Sequence, residues 1–429
     1  MCWVSAYGNE RILIMKETYR VLPVWAGDVS GIAGALYEFG GMTVIHDPSG
    51  CNSTYNTHDE LRWYREPSSI FISGLNMKDA VLGNDDRFIS DILDTVGSLP
   101  ARPEFIALCN SPVPWLNGTD FEAIAAILEH KSGIPSFYVP SNGCHDYARG
   151  AGLAWKKLLQ TFAGRPETFA GGGQGEATAE QFDGGKTDDG AVSVNVLGMM
   201  TLDYAAEGSA HSLETLLRKR GFRIQSCLGL GDFADLRRIP DCTRADVSLV
   251  LSKAGLLPAR YLRDKYGIPY VTGVPLADES DPVLKSLGDE KPQSDFNEKR
   301  HADGEQDSHS PVIFITEPVL GASLAAMVRR KTGRKTIVID PLETDPSAQI
   351  PGVDASLFGE EEIEAFLARF PDADFICDPM YDSILPHENR TRRVFLPTLA
   401  LSGRIYRKHF VNYFEKGMSD RLLGALASG

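Results

Sequence analysis

Apolar positions along the chain follow two rhythms. Short runs rich in β-branched and aromatic residues read as buried strands, and segments with apolar residues three and four apart read as amphipathic helices. PEFIALCNS (103–111) predicts a strand and turn, DFEAIAAILEHKSG (120–133) a helix stopped by Gly133, and IPSFYVPS (134–141) the next strand. Further on, VSVNVLG is a strand, SLETLLRKRG a helix stopped by Gly221, and FRIQSCL and ADVSLVLS are strands. PARYLRDKYG then reads as a helix and IPYVTGV as a strand. In the last third, PVIFITE leads into a helix through SLAAMVRRKTG and on to KTIVIDP; EEEIEAFLARF leads to ADFICDP. A glycine at a helix end, with a β-branched run straight after it, is the punctuation of parallel α/β layers.

Two stretches break the rhythm. Glu167–Gly190 is rich in Gly and acidic residues, and Asp278–Ser310 is more polar still, so both read as solvated connections. They cut an α/β chain into three Rossmann-like domains, each a mainly parallel sheet flanked by helices: residues 1–185, 186–285 and 308–429. Ligands of such sheets gather beyond the carboxyl ends of strands. That directs attention to the loops after TVIH, FIAL, VNVLG, LVLS, FITE and FIC.

Composition adds mainly exclusions. The 429 residues, 43% hydrophobic and 24% charged, are ordinary for a globular protein. A formal net charge of -15 argues against a general nucleic-acid or anionic-membrane binder. Arg392, Arg393, Arg404, Arg407 and Lys408 nevertheless make the C-terminal region locally basic. The first twenty residues lack a signal peptide's apolar stretch, and no apolar run reaches about 18 residues, so the expectation is a cytoplasmic protein without a membrane span. No Walker-type phosphate loop is present, so ATP is expected on a partner only. The seven cysteines (Cys2, Cys51, Cys109, Cys144, Cys227, Cys242 and Cys377) contain no C-x-x-C pair, which excludes a self-contained zinc or ferredoxin motif. Most are expected to be buried thiols.

The most informative stretch is MTVIHDPSGC. A short strand ends at His46, and the turn through Gly50 presents Cys51 at its carboxyl end. A thiolate there suits iron; a buried thiol in a turn satisfies the same spacing, and spacing alone leans to the latter. His58, His145 and Asp146 fall in nearby loops, either as pocket lining or, more blandly, as solvated loop residues. Asp85–Asp86 reads as a solvated loop, Glu360–Glu362 as the acidic first turn of a helix, and GMMTLDY as packing.

HDPSGC resembles the His-Gly-Pro-x-Gly-Cys-like turn of the nitrogenase component 1 family, which includes cofactor-assembly scaffolds and dark-operative protochlorophyllide reductases; Asp47 replaces the usual Gly. SGLNMKDAVLGNDDRFISDI, the Gly118 and Asp120 pair, YVPSNGCHDYARGAG, RYLRDKYGIPYV and LPTLALSGRIYRKHFVNYF are similar to further family segments in the same order. The resemblance implies that Cys51, in a turn shaped by His46 and Gly50, binds an Fe–S cluster of the 4Fe-4S kind. The cluster would be shared with a homologous nitrogenase-like subunit, and electrons would come from an iron-protein-like ATPase reductase. Cys109 is a second candidate ligand, three residues out of register with the family's cysteine.

The departures matter as much. Trp25 and Pro112 stand where cluster-rich subunits carry cysteines, and apolar Leu251 marks the region of the cysteine that holds nitrogenase's catalytic cofactor. Dinitrogen reduction is therefore not expected. Two functions stay open: an oxidoreductase subunit serving a substrate or cofactor precursor, or a non-catalytic partner or scaffold subunit without its own metal.

Overall fold

The computed structural model describes residues 19–48, 61–64, 69–165, 191–277, 281–289, 310–343, 350–386 and 392–427. The first third contains α1 (Asp28–Leu36), β1 (Met42–His46), β2 (Ile70–Ile72), α2 (Met77–Leu82), α3 (Asp85–Ser98), β3 (Ile106–Asn110), α4 (Pro112–Asn117), α5 (Phe121–Ser132), β4 (Ser136–Tyr138) and α6 (Tyr147–Phe162). The middle contains β5 (Val192–Met199), α7 (Ser209–Lys219), β6 (Phe222–Gly229), β7 (Val247–Val250), α8 (Leu256–Tyr266), β8 (Tyr270–Thr272) and α9 (Pro282–Leu287). The last third contains β9 (Val312–Ile315), α10 (Pro318–Thr332), β10 (Thr336–Asp340), β11 (Ala355–Ser356), α11 (Glu360–Leu367), β12 (Asp374–Cys377), β13 (Arg393–Phe395), α12 (Leu399–Ser402) and α13 (Met418–Ala427).

The strands form three sheets, ordered β2-β1-β3-β4, β6-β5-β7-β8 and β11-β10-β9-β12-β13. Every ladder is parallel, as the α/β pattern predicts. Each sheet reverses its winding once, between β1 and β3, β5 and β7, and β9 and β12, which are the places where such sheets open a crevice. Helix ends follow the sequence signals. Asp120 caps α5 by accepting from the Ala123 N–H at 3.0 Å, and Gly133 ends it at a φ of 66°.

One apolar cluster joins all three sheets, running from Ile32 through Trp155 and Leu249 to Phe314; the outer faces of the first and third sheets have smaller cores of their own. The junction depends on α6, a helix to which the sequence pattern assigns no element. Here α1 and α6 touch backbone to backbone. A Cβ added at Gly31 would lie 1.9 Å from the Tyr147 carbonyl oxygen, and one added at Gly150 would lie 2.0 Å from that of Asp28. Trp155 fixes the crossing by donating from Nε1 to the Ala35 carbonyl at 2.9 Å.

Three local expectations change. Asp85 and Asp86 lie in the first turn of α3, not in a loop. Part of the polar stretch Asp278–Ser310 is helical: Asp281 caps α9, which buries Val283, Leu284 and Leu287. Glu360 does open α11, yet it is buried and accepts from the N–H groups of Arg20, Val21 and Leu22. Glu167–Gly190 and most of the rest of Asp278–Ser310 lie outside the described residues. Among the described residues no helix is long and apolar enough to cross a membrane.

Candidate functional site

The first sheet presents the ends of β1 and β3 side by side, with His46 opposite Asn110. His46 is buried; its Nδ1 lies 2.7 Å from the Ser73 Oγ and its ring is 4.0 Å from that of Phe88. Burial pushes its pKa down to about 4 despite Asp47 and Asp79, so the imidazole is neutral at pH 7. It props the strand end from behind. Cys109 sits wholly inside β3, with its Sγ 3.7 Å from the Val44 carbonyl oxygen. Burial, helped by Asp28 and Asp47, pushes its pKa well up, so it is held as a thiol. A ligand role for Cys109 does not suit this geometry. Gly50, Cys51 and His58 lie outside the described residues.

Beside this strand end the surface carries exposed apolar side chains. Met77, Val81 and Leu82 of α2 and Leu116 of α4 are all at least 67% exposed. The Asn117 side-chain amide donates to the Ala80 carbonyl and ties the two helices together.

A second constellation forms where the strand ends of the middle and last sheets meet the start of α6. Tyr147 Oη donates to Asp203 Oδ1 at 2.6 Å, and the Lys253 N–H donates to Glu317 Oε1 at 2.8 Å. Lys253 Nζ lies 2.8 Å from Asp340 Oδ2 and donates to the Glu343 carbonyl at 2.7 Å. The Glu343 N–H donates to Asp146 Oδ2 at 2.8 Å, and His145 Nδ1 lies 3.0 Å from Glu343 Oε2. His145 and Asp146 are thus ties between the first and last thirds of the chain. Burial lifts Asp203 to about 7, against hydrogen bonds from Tyr147 and Ser252; burial and Asp203 lift Glu317 to about 8. Such carboxyls hold a proton near neutral pH.

This centre is full. Leu251 is buried and its carbonyl accepts from Tyr204 Oη at 2.6 Å. The space left between Trp25, Asp203, Glu317, Asp378, Thr398 and Tyr413 is about 10 Å³, room for one water at most. GMMTLDY does pack, as expected, since Met199, Met200 and Tyr204 are buried, but it also delivers Asp203.

A family model described as Nitrogenase component 1 type Oxidoreductase matches residues 32–295. The chain belongs to that family. This component 1 type chain is 28% identical over 243 residues to the nitrogenase iron-molybdenum cofactor biosynthesis protein NifE of Rhodobacter capsulatus, covering 54% of the chain and 44% of that relative. It is 31% identical over 85 residues to a light-independent protochlorophyllide reductase subunit of Adiantum capillus-veneris, covering 20% of the chain and 16% of the relative. The matched stretches thus span less than half the length of these curated relatives. A solved structure, "Nitrogenase Cp1 at pH 6.5", shares the fold, with a TM-score of 0.63 at 14% identity over 97% of this chain and 94% of that one.

Fe–S clusters need several anionic donors. Among the described residues no group of three or more His, Cys, Asp and Glu side chains is arranged to hold a metal ion, so these residues do not fit a cluster on their own. Trp25, standing in a family cysteine position, stacks 6.1 Å from Tyr147, and Pro112 opens α4. Cys227, Cys242 and Cys377 are buried thiols and Cys144 is half-buried. Sequence reasoning pointed to the loops after LVLS and FITE but singled out none of Lys253, Glu317 and Asp340. Their one signal is position, since each stands at a strand's carboxyl end or within three residues of it.

Proposed function

We propose that this chain is one subunit of a nitrogenase-like oxidoreductase that pairs with a homologous subunit across the carboxyl edge of its first sheet. There Cys51 contributes the chain's one thiolate to an Fe–S cluster completed by the partner. A bound cluster supplies one-electron transfer, and reducing equivalents come from an ATP-dependent iron-protein-like reductase. The filled centre carries the proposal: Leu251 is buried with its carbonyl bonded to Tyr204, and the space among Trp25, Asp203 and Glu317 is only about 10 Å³. Chemistry at a metallocofactor there, dinitrogen reduction included, is not this chain's role. The substrate or cofactor precursor is then handled at the pairing face or on the partner.

One further observation and one physical argument support pairing. Met77, Val81, Leu82 and Leu116 form an exposed apolar rim beside the strand that leads to Cys51. Burying each such side chain is worth roughly 1.5–3 kcal/mol before ordering costs. A subunit contact also excludes water from a shared cluster and lets two chains divide the ligands.

Cys109's position in the core favours a second function, a non-catalytic partner or scaffold subunit without its own metal. Anaerobic co-expression with homologous chains of the same organism, followed by iron and sulfide analysis, separates the two. A brown hetero-oligomer with iron and sulfide supports the first, and a colourless, iron-free one the second. A chain that stays monomeric with every homologue overturns the pairing.

A further inference from the structure

The three sheets meet at side chains that pairing does not use. Tyr147 opens α6, Asp203 follows β5, Lys253 follows β7, and Glu317 caps α10. The Tyr147 hydroxyl on Asp203 ties the first third to the middle, and the Lys253 N–H on Glu317 ties the middle to the last. The last third also grips the loop that carries Asp203. Thr398 Oγ1 and the Ala400 N–H both donate to the Leu202 carbonyl, at 2.8 and 3.1 Å, and the Thr398 N–H donates to Asp378 Oδ2 at 2.7 Å.

Two acids share this seam. Asp203 and Glu317 line the same small space, with Asp378 as a third carboxyl on its wall. Glu317 is well supplied with donors, since the Lys253 and Leu320 N–H groups reach its two oxygens at 2.8 and 2.9 Å. Asp203 is not. Its Oδ1 takes the Tyr147 hydroxyl, whereas Oδ2 is buried with no partner among the described residues. A carboxylate oxygen in that position is costly as an anion and fits better as a protonated hydroxyl.

The groups around the pair do not relieve it. Asp146, which caps α6, adds a further like charge towards Asp203. Tyr147, Tyr204 and Tyr413 stay neutral, because burial pushes their hydroxyls well up. The Lys253 ammonium is held by Asp340 and the Glu343 carbonyl at 2.8 and 2.7 Å. Two like charges in so small and dry a space repel strongly, so the closed seam holds at least one proton on the pair. Closed, the two carboxyls titrate at about 7 and about 8; hydrated, they return towards their ordinary 3.8 and 4.5. Closure is therefore fully favoured below the ordinary values and is lost as pH rises through about 7 and 8.

We propose that Asp203 and Glu317 form a proton-operated latch: protonated, they let the middle and last sheets close on each other, and ionised together they drive that seam apart while each sheet stays folded. Amide hydrogen exchange of the full chain, resolved to single residues and corrected for the intrinsic base-catalysed rate, tests it. The reporters are the Lys253 and Ala400 N–H groups, which bridge the seam, and the Val139 N–H, which bonds the Leu108 carbonyl within the first sheet. Protection at Lys253 and Ala400 is expected to fall at least about ten-fold from pH 5.5 to pH 8.5, since each proton released on opening shifts the equilibrium about ten-fold per pH unit. At pH 8.5 both should also be at least about ten-fold less protected than Val139. Asp203→Asn, which keeps an acceptor for Tyr147, should retain at pH 8.5 the seam protection it has at pH 5.5. The measurement needs neither partner nor iron, so a negative result leaves the pairing through Cys51 untouched. Protection at Lys253 and Ala400 equal to that at Val139 at both pH values would mean that the seam opens only by global unfolding, and overturns the latch. A loss in Asp203→Asn as large as in wild type overturns it as well.

Discussion

Replacing Lys253 with methionine probes the filled centre most sharply. The Lys253 and Asp340 side chains are 9% and 6% exposed, with Nζ 2.8 Å from Oδ2, and the same ammonium donates to the Glu343 carbonyl. Burial raises the Asp340 pKa above its ordinary 3.8 even though Lys253 pulls it down, so desolvation outweighs the attraction. Such a pair adds little net stability over apolar residues, but removing one partner strands the other. Lys253→Met should therefore cost about 3–5 kcal/mol at pH 8, of which about 1 kcal/mol is the lost carbonyl bond. The sign with pH follows. Without Lys253 the Asp340 pKa rises further, folding takes up a proton, and the penalty shrinks as pH falls towards 4. Adding Asp340→Leu removes the stranded carboxylate and should recover most of the loss. Urea unfolding of wild type, single and double variants at pH 5 and 8 measures this. A single-variant cost below about 1 kcal/mol at pH 8, or a cost that does not depend on pH, would refute the reasoning.

Gly150→Ala should destabilise the protein by about 2–3 kcal/mol, because the new methyl meets the Asp28 carbonyl oxygen at 2.0 Å and forces α1 and α6 apart. Gly424→Ala in α13, with nothing within 4 Å, should instead stabilise it by up to about 1 kcal/mol, and thermal melts distinguish the two. Asp203 has an ordinary pKa of 3.8 and a folded one near 7, so the folded state holds the extra proton and stability falls as pH rises between these values. Asp203→Asn keeps an acceptor for Tyr147, should flatten that decline, and should be on the order of 1–2 kcal/mol more stable than wild type at pH 8. Melts from pH 5 to 8.5 that decline equally steeply in both proteins would exclude a protonated Asp203.

Much of the sheet architecture was legible because its signals are local. Gly133, Gly267 and Gly333 close α5, α8 and α10 with positive φ, and β-branched runs follow each of them as strands. The helix α6 was not legible, since YARGAG carries glycines that lower helix propensity; only the approach of α1 shows why Gly150 is required. The centre was hidden for a different reason. Asp203, Lys253, Glu317 and Asp340 come from four separate strand ends, and nothing in one-dimensional spacing brings a lysine against an aspartate 87 positions away. Cys109 lies buried in β3, and a cysteine near a family motif says nothing about which way its strand points it. Asp281 and Pro282 announce α9 within a run whose overall polarity reads as a linker.

Iron and sulfide per complex, measured after anaerobic co-purification with the homologous subunit, test the central claim most directly. Wild type and Cys109→Ala are expected to retain the cluster, and Cys51→Ala to lose it, because a methyl group cannot replace a thiolate ligand. Full iron and sulfide content in the Cys51→Ala complex would contradict the account.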